Sequence, residues 1–167
     1  MGNIRQAQAF PGLVGNLAHK GCFLVTGKES PNIMTIGWAT AGVMWGKEVL
    51  MVPVRLSRYS HDKLEAWPEF TVCTMESTGQ FTHELAICGS KSGRDMDKAA
   101  ELGFTLQPSE TISVPYIGEC DLAYECKVIY KLEMTEAHMD RAVVDRFYPA
   151  ANYHTLYFGE ILAVHKK

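Results

Sequence analysis

Leu122, Tyr124, Cys126, Val128, Tyr130 and Leu132 alternate with Glu125, Lys127 and Lys131, a period of two that predicts a strand with one buried and one wet face. Other segments read as shorter strands. Cys22 to Thr26 is apolar and closed by Gly27. Asn32 to Gly42 (NIMTIGWATAG) is rich in β-formers and small residues, as suits a strand approached closely by another group. Glu48 to Val54 carries Pro53, which marks an edge or an end, and Glu69 to Met75 and Tyr153 to Val164 complete the strands. Helices are predicted where Ser57 or Ser60 could cap a run through Trp67, ended by Pro68. Further helices are expected over Gln80 to Cys88, over Asp95 to Leu102 with Gly103 as the stop, and over Ala137 to Phe147 before Pro149. These strands do not alternate regularly with long helices, which disfavours a doubly wound parallel sheet. The pattern predicts a β fold with peripheral helices (α+β), a largely antiparallel barrel.

A length of 167 residues with no linker, repeat or low-complexity tract suits one domain over residues 1–167. Apolar residues at 47% and charged residues at 21% exclude wholesale disorder. A formal charge of −3 and the absence of a basic stripe interleaved with aromatics argue against a nucleic-acid binder. No apolar run is long enough to cross a bilayer. The opening MGNIRQAQAFPG lacks the apolar centre of a secretory signal, and Gln6 stands where N-myristoylation requires Ser or Thr, so neither leader nor lipid anchor is expected. Five scattered cysteines without a CxxC pair read as reduced, buried thiols of a cytoplasmic protein. No metal site is expected, since His83-Glu84 begins like HExxH but Ile87 occupies the second histidine's place.

Familiar catalytic signatures fail. Gly42 to Lys47 resembles a P-loop one residue short, with Glu48 in place of Ser or Thr, and both GxGxxG and GxSxG are absent. Three segments keep chemical interest. Asn32 to Gly42 offers backbone amides and carbonyls to a flat heterocycle, although Trp38 also suits an ordinary core strand. In VRLSRYSHDK (Val54 to Lys63), guanidinium groups and hydroxyls meet a helix start, a combination suited to a phosphate monoester and equally to a solvated cap. In CGSKSGRDMDK (Cys88 to Lys98), the Ser90–Lys91–Ser92–Gly93 turn could wrap an anion or simply be a surface turn. Together they point to a phosphorylated heterocycle.

The chain resembles the flavin reductase-like family of FMN-binding split barrels, including its flavoredoxin branch, from about Phe23 to Glu160. The resemblance is carried by NIMTIGW, VRLSRYS, CGSKSGRDMDK, YECKV (Tyr124 to Val128) and HTLYFGEI (His154 to Ile161) in that order. It implies an antiparallel FMN-binding split β-barrel with FMN held around Asn32, Met34, Thr35 and Trp38. The 5′-phosphate is then taken by Arg55, Ser57, Arg58, Tyr59 and Ser60, where Ser60 replaces the Thr of many relatives. The Ser90–Lys91–Ser92 turn contacts the flavin or its ribityl chain, and His154, Tyr157 and Phe158 approach the ring or a nicotinamide pocket. It also implies a homodimer. His154 is the candidate proton donor, with a satisfied structural histidine as the bland alternative.

FMN supplies redox chemistry without a protein nucleophile, so the missing triad is consistent with such a protein. The leading expectation is an oxidoreductase passing hydride from NADH or NADPH to FMN and electrons onward. A flavoredoxin-like FMN carrier reduced by a protein donor such as a ferredoxin is the first alternative. A non-redox phosphate-ligand-binding or dimerisation module is the second.

Overall fold

The computed structural model describes residues 10–77 and 79–167. The expectation about a leader or lipid anchor falls largely on residues 1–9, outside the described residues. Seven strands form one open antiparallel sheet: β1 (Cys22–Thr26), β2 (Asn32–Ile36), β3 (Thr40–Met44), β4 (Lys47–Arg55), β5 (Glu69–Thr74), β8 (Leu122–Glu133) and β9 (His154–Lys166). Their spatial order is β2-β1-β5-β8-β9-β4-β3. The short β6 (Leu106–Gln107) and β7 (Tyr116–Ile117) pair separately. Helix α1 (Phe10–His19) precedes β1, and α2 (Tyr59–Ala66), α3 (Thr82–Ser90), α4 (Lys98–Leu102) and α5 (Arg141–Phe147) lie between strands in sequence.

Alternation along β1 shows how the core is arranged. Cys22 and Leu24 join one apolar cluster with Leu50, Val52, Phe70 and Tyr124, while Phe23 and Val25 join a second with Leu85, Cys88, Phe104 and Ile117. β1 is therefore buried on both faces, which explains its continuous apolar run. All five cysteines are buried and free.

Several sequence expectations are corrected. Asn32 to Gly42 is two strands, because Gly37 to Ala39 carries the chain from the β2 edge of the sheet to the β3 edge. The P-loop-like run is the β3–β4 hairpin, turning at Trp45 and Gly46 with φ of 54° and 70°. Pro53 lies beyond the last β3 partner of β4, so its missing N–H costs no ladder bond there. Neither Ser57 nor Ser60 caps α2; Arg58 does so, with no side-chain hydrogen bond. α4 starts at Lys98 because Asp97 caps it, accepting from Ala100 N at 3.1 Å. The helix expected from Ala137 is divided into a 3-10 turn at Glu136–His138 and α5, since Asp140 accepts from Ala142 N at 2.9 Å and starts the second piece. The unexpected α1 is tied to the residue that follows β5 through Asn16 Nδ2, which donates to Met75 O at 2.6 Å.

β8 departs most from its simple pattern. Its first half is covered on both faces, so Glu125 is buried on the face opposite Tyr124 and Cys126, and a bulge at Ile129 rephases the second half, where Tyr130 and Leu132 are exposed. Glu125 accepts hydrogen bonds from Glu110 N and Thr111 N, both at 2.7 Å, and contacts Thr111 Oγ1 and His165. Burial pushes its pKa up, but these hydrogen bonds outweigh burial and hold the carboxyl below its ordinary value. The charge is satisfied and fastens the 108–115 segment to the sheet.

Candidate functional site

The crossing segment after β2, the end of β4 and the start of β9 converge on one cavity of about 160 Å³. Met34 and Thr35 come from β2 itself and Trp38 from the crossing segment, Pro53 and Arg55 from the end of β4, and His154 from the start of β9. Thr35 Oγ1 donates to Leu85 O at 2.6 Å, which fixes the end of β2 on α3. Trp38 packs on Phe147 and His154 with ring centroids 5.2 and 5.3 Å away. Arg55 donates to Asn152 O at 2.6 Å and Phe147 O at 3.0 Å, so its guanidinium braces the chain that leaves α5.

Met34 and Arg58 also line a second cavity of about 140 Å³, which makes the two a continuous groove. Asn32, Ser57, Tyr59 and Ser60 contribute from one side, and Ser90, Lys91 and Ser92 from the α3–α4 connection. Arg58, Lys91, Arg94 and Lys98 are its charged lining, with no carboxylate among the lining residues. α2 begins here with no side-chain cap on its terminal amides, while Asp62 in its first turn pairs with Arg94 at 2.5 Å. Such a lining is electrostatically suited to an anion.

Asn32 is the buried hinge of this pocket. Its side chain is 5% exposed, and its Nδ2 donates to Ser60 Oγ at 2.8 Å. Its Oδ1 has no partner among the described residues, an acceptor that a ligand hydroxyl or N–H would satisfy. Gly93 allows the loop to approach that oxygen, since a Cβ there would lie 1.8 Å from Oδ1.

His154 is 7% exposed, and its Nδ1 lies 2.8 Å from the Tyr148 hydroxyl. Burial, helped by the nearby Arg55 and Arg58 guanidiniums, pushes its pKa down to about 4 from an ordinary 6.5. At neutral pH it is an uncharged hydrogen-bonding group rather than an imidazolium acid. An unfolded chain binds this proton more readily than the folded one, so stability is lost as pH falls from 6.5 towards 4. The expected loss is about 3 kcal/mol at 1.36 kcal/mol per pK unit. Urea unfolding at pH 7 and pH 4 should show it, and His154→Gln should remove that part of the pH dependence.

Two residues expected near the ring are placed elsewhere. Tyr157 points into the core, its hydroxyl donating to Glu65 at 2.8 Å. Phe158 packs on Tyr130 and Trp45 at 5.4 and 6.4 Å. Neither lines either cavity of the groove. Sequence reasoning named Gly93 in the serine turn but left out Pro53, Tyr148, Arg94 and Lys98 as site residues. Arg94 and Lys98 stand inside the quoted CGSKSGRDMDK run, where proximity to the serine turn was an available signal; Tyr148 gave none.

Comparison with known proteins agrees with this architecture. A solved flavoredoxin of Desulfovibrio vulgaris superposes with a TM-score of 0.70 at 25% identity, over 89% of this chain and 70% of that one. A flavoredoxin from Methanosarcina acetivorans gives 0.71 at 24% identity, over 89% and 69%. An uncharacterized protein of Archaeoglobus fulgidus is 30% identical over 141 residues, 84% of this chain and 68% of its own length. The open antiparallel sheet is thus the split barrel. The profile of the flavin reductase-like domain matches residues 16–167, and the chain belongs to that family.

Proposed function

We propose that this protein is an FMN-dependent oxidoreductase of flavin-reductase type, with residues 1–167 acting as one FMN-binding domain, reduced by NADH or NADPH and passing electrons onward. The observation that carries this reading is the continuous groove, aromatic at the Trp38–His154 end, where Arg55 also lines it, and cationic from Arg58 to Lys98, in a flavin reductase-like chain. The residues fit the cofactor: an orphaned buried acceptor at Asn32, a close backbone approach at Gly93 and a carboxylate-free cationic lining suit a phosphorylated, hydroxyl-bearing ligand. Bound FMN would supply the electron-transfer chemistry that this side-chain set lacks.

In this reading Arg58, Ser57, Ser60 and the Ser90–Lys91–Ser92 turn hold the phosphate. Met34, Thr35, Trp38 and Pro53 shape the ring pocket and exclude water from it. Neutral His154 offers a hydrogen bond at the ring end, its orientation set by Tyr148. Arg55 acts as a positioning residue through Asn152 and Phe147.

A flavoredoxin-like carrier reduced by a small iron–sulfur protein is the second reading, favoured by the flavoredoxin likeness. We also propose a homodimer. Trp45 is 55% exposed at a hairpin tip and packs edge-on with Tyr130 and Phe158, an aromatic face that a second copy would cover. Sedimentation should give twice the chain mass, falling to one chain in Trp45→Asp. Buried reduced thiols and the lack of any described helix long and apolar enough to cross a membrane are consistent with a cytoplasmic setting.

Anaerobic addition of NADH or NADPH should bleach the flavin absorbance within seconds. Bleaching only by a reduced iron–sulfur protein would replace the leading reading with the carrier, and a protein that leaves added FMN unbound would remove both.

A further inference from the structure

The stretch from β7 to β8 folds one cysteine over another at the end of β5. Asp121 N donates to Thr74 O at 3.0 Å, and Cys120 N donates to Ile117 O at 3.2 Å, which closes a turn over residues 117–120. The same turn donates from Ile117 N to Cys73 Sγ at 3.4 Å. Cys73 and Cys120 share one apolar cluster, and the Cys120 thiol acts as a side-chain hydrogen-bond donor to Cys73 Sγ. Cys22 and Cys126 belong to the other cluster, and Cys88 lines the anion pocket.

Access to the pair is one-sided. Cys73 is fully buried, whereas Cys120 is 5% exposed and lines a separate cavity of about 320 Å³ beside Tyr116 and His165. A small neutral molecule in that cavity meets Cys120 first. Burial pushes the Cys73 thiol up, but the Cys120 thiol and the Ile117 N–H outweigh it and hold Cys73 below its ordinary value. The contact with Cys73, together with burial, pushes Cys120 up. Cys73 Sγ is thus the proton acceptor of the pair and the Cys120 thiol its donor.

We propose that Cys73 and Cys120 form a redox site that takes hydrogen peroxide, with Cys120 as the attacking sulfur and Cys73 as base and resolving thiol. Cys73, as thiolate, accepts the Cys120 proton while Cys120 Sγ attacks one peroxide oxygen. The O–O bond breaks, a sulfenic acid forms on Cys120 and hydroxide leaves. Cys73 Sγ then attacks Cys120 Sγ; the S–S bond forms, and the sulfenic hydroxyl leaves with the Cys73 proton as water. The hydroxide recovers the proton first lost from Cys73, so two thiols and one peroxide give one disulfide and two waters. A dithiol reductant reverses the reaction. Neither sulfur lines the groove, so the site stands apart from the flavin reading.

Peptide mapping of the full chain tests this. Folded protein is treated with a small excess of hydrogen peroxide, quenched with catalase, and alkylated in denaturant before digestion. A linked Cys73–Cys120 peptide pair should appear, two hydrogens lighter than its dithiol and cleaved by dithiothreitol, while Cys22, Cys88 and Cys126 are recovered alkylated. Cys73→Ser should lose the link and, with dimedone present during oxidation, carry the tag on Cys120. Cys120→Ser should lose the link and take up no dimedone at Cys73. The link in the unsubstituted chain is read without any variant, so a serine variant that fails to fold does not decide the result. Recovery of all five cysteines alkylated, or a link that joins Cys73 or Cys120 to another cysteine, would overturn the site. A dimedone tag on Cys73 in Cys120→Ser would overturn the assignment of Cys120 as the attacking sulfur.

Discussion

Gly93→Ala is expected to weaken FMN binding about 10- to 100-fold, the equivalent of about 1.4 to 3 kcal/mol. The new Cβ would lie 1.8 Å from Asn32 Oδ1 and 2.8 Å from its Cγ, with Tyr59 Cδ1 at 3.2 Å. Asn32 is buried and bonded to Ser60, so relief requires either breaking that hydrogen bond or moving the loop that carries Lys91 and Ser92. Both routes disturb the anion pocket. Riboflavin, which lacks the phosphate, should lose much less affinity. Quenching of flavin fluorescence measures both ligands, and an unaltered FMN affinity in Gly93→Ala would show that the loop does not form the phosphate site.

Gly159→Ala should lower global stability by about 2 to 3 kcal/mol, through overpacking that outweighs the small gain from a less flexible unfolded chain. Gly159 lies in β9 opposite Leu50 and Val128, at the centre of the sheet. Its added Cβ would meet Phe70 Cζ at 2.6 Å, Phe70 Cε1 at 2.7 Å and Cys126 Cβ at 2.8 Å. Phe70 and Cys126 are fully buried and have no empty space to retreat into. Thermal unfolding should shift down by about 5 to 10 °C for a chain of this length. A shift below about one degree would mean that β9 is free to move away from β5 and β8 at this point.

Strand identity was legible where apolar runs were short and bounded by Gly or Pro, as at Cys22–Thr26 and Glu69–Thr74. Facing was less legible. The alternation in β8 is genuine in the sequence, but a bulge at Ile129 rephases its second half, and a buried Glu125 is stabilised by amides from a distant segment that local periodicity does not include. The break at Gly37 to Ala39 follows from strand order, a long-range property. α1 was missed because Pro11, Gly12 and Gly15 weaken its helical signal, although Leu13 and Asn16 share a buried face.

The site was legible as residue chemistry more than as geometry. Guanidinium groups, serines and a helix start in VRLSRYS marked an anion pocket, and the structure assembles most of those groups along one groove with the Ser90–Ser92 turn. Arg55 carries the right charge but spends it on carbonyls after α5. Tyr157 and Phe158 adjoin in sequence yet face opposite sides of β9, one into the core and the other toward Trp45. Lys98 looked like the polar end of a motif. Its burial depends on α4 packing over β2, which spacing alone does not reveal.

The phosphate grip is tested most directly by titrating flavin-free protein with FMN and riboflavin in parallel at low and high salt. A dianion held by Arg58, Lys91 and the α2 terminus should make FMN at least about 100-fold the tighter ligand at low salt, with the difference shrinking as salt screens the charges. Equal affinities that ignore salt would contradict the account, because the cationic end of the groove would then have no part in holding the ligand.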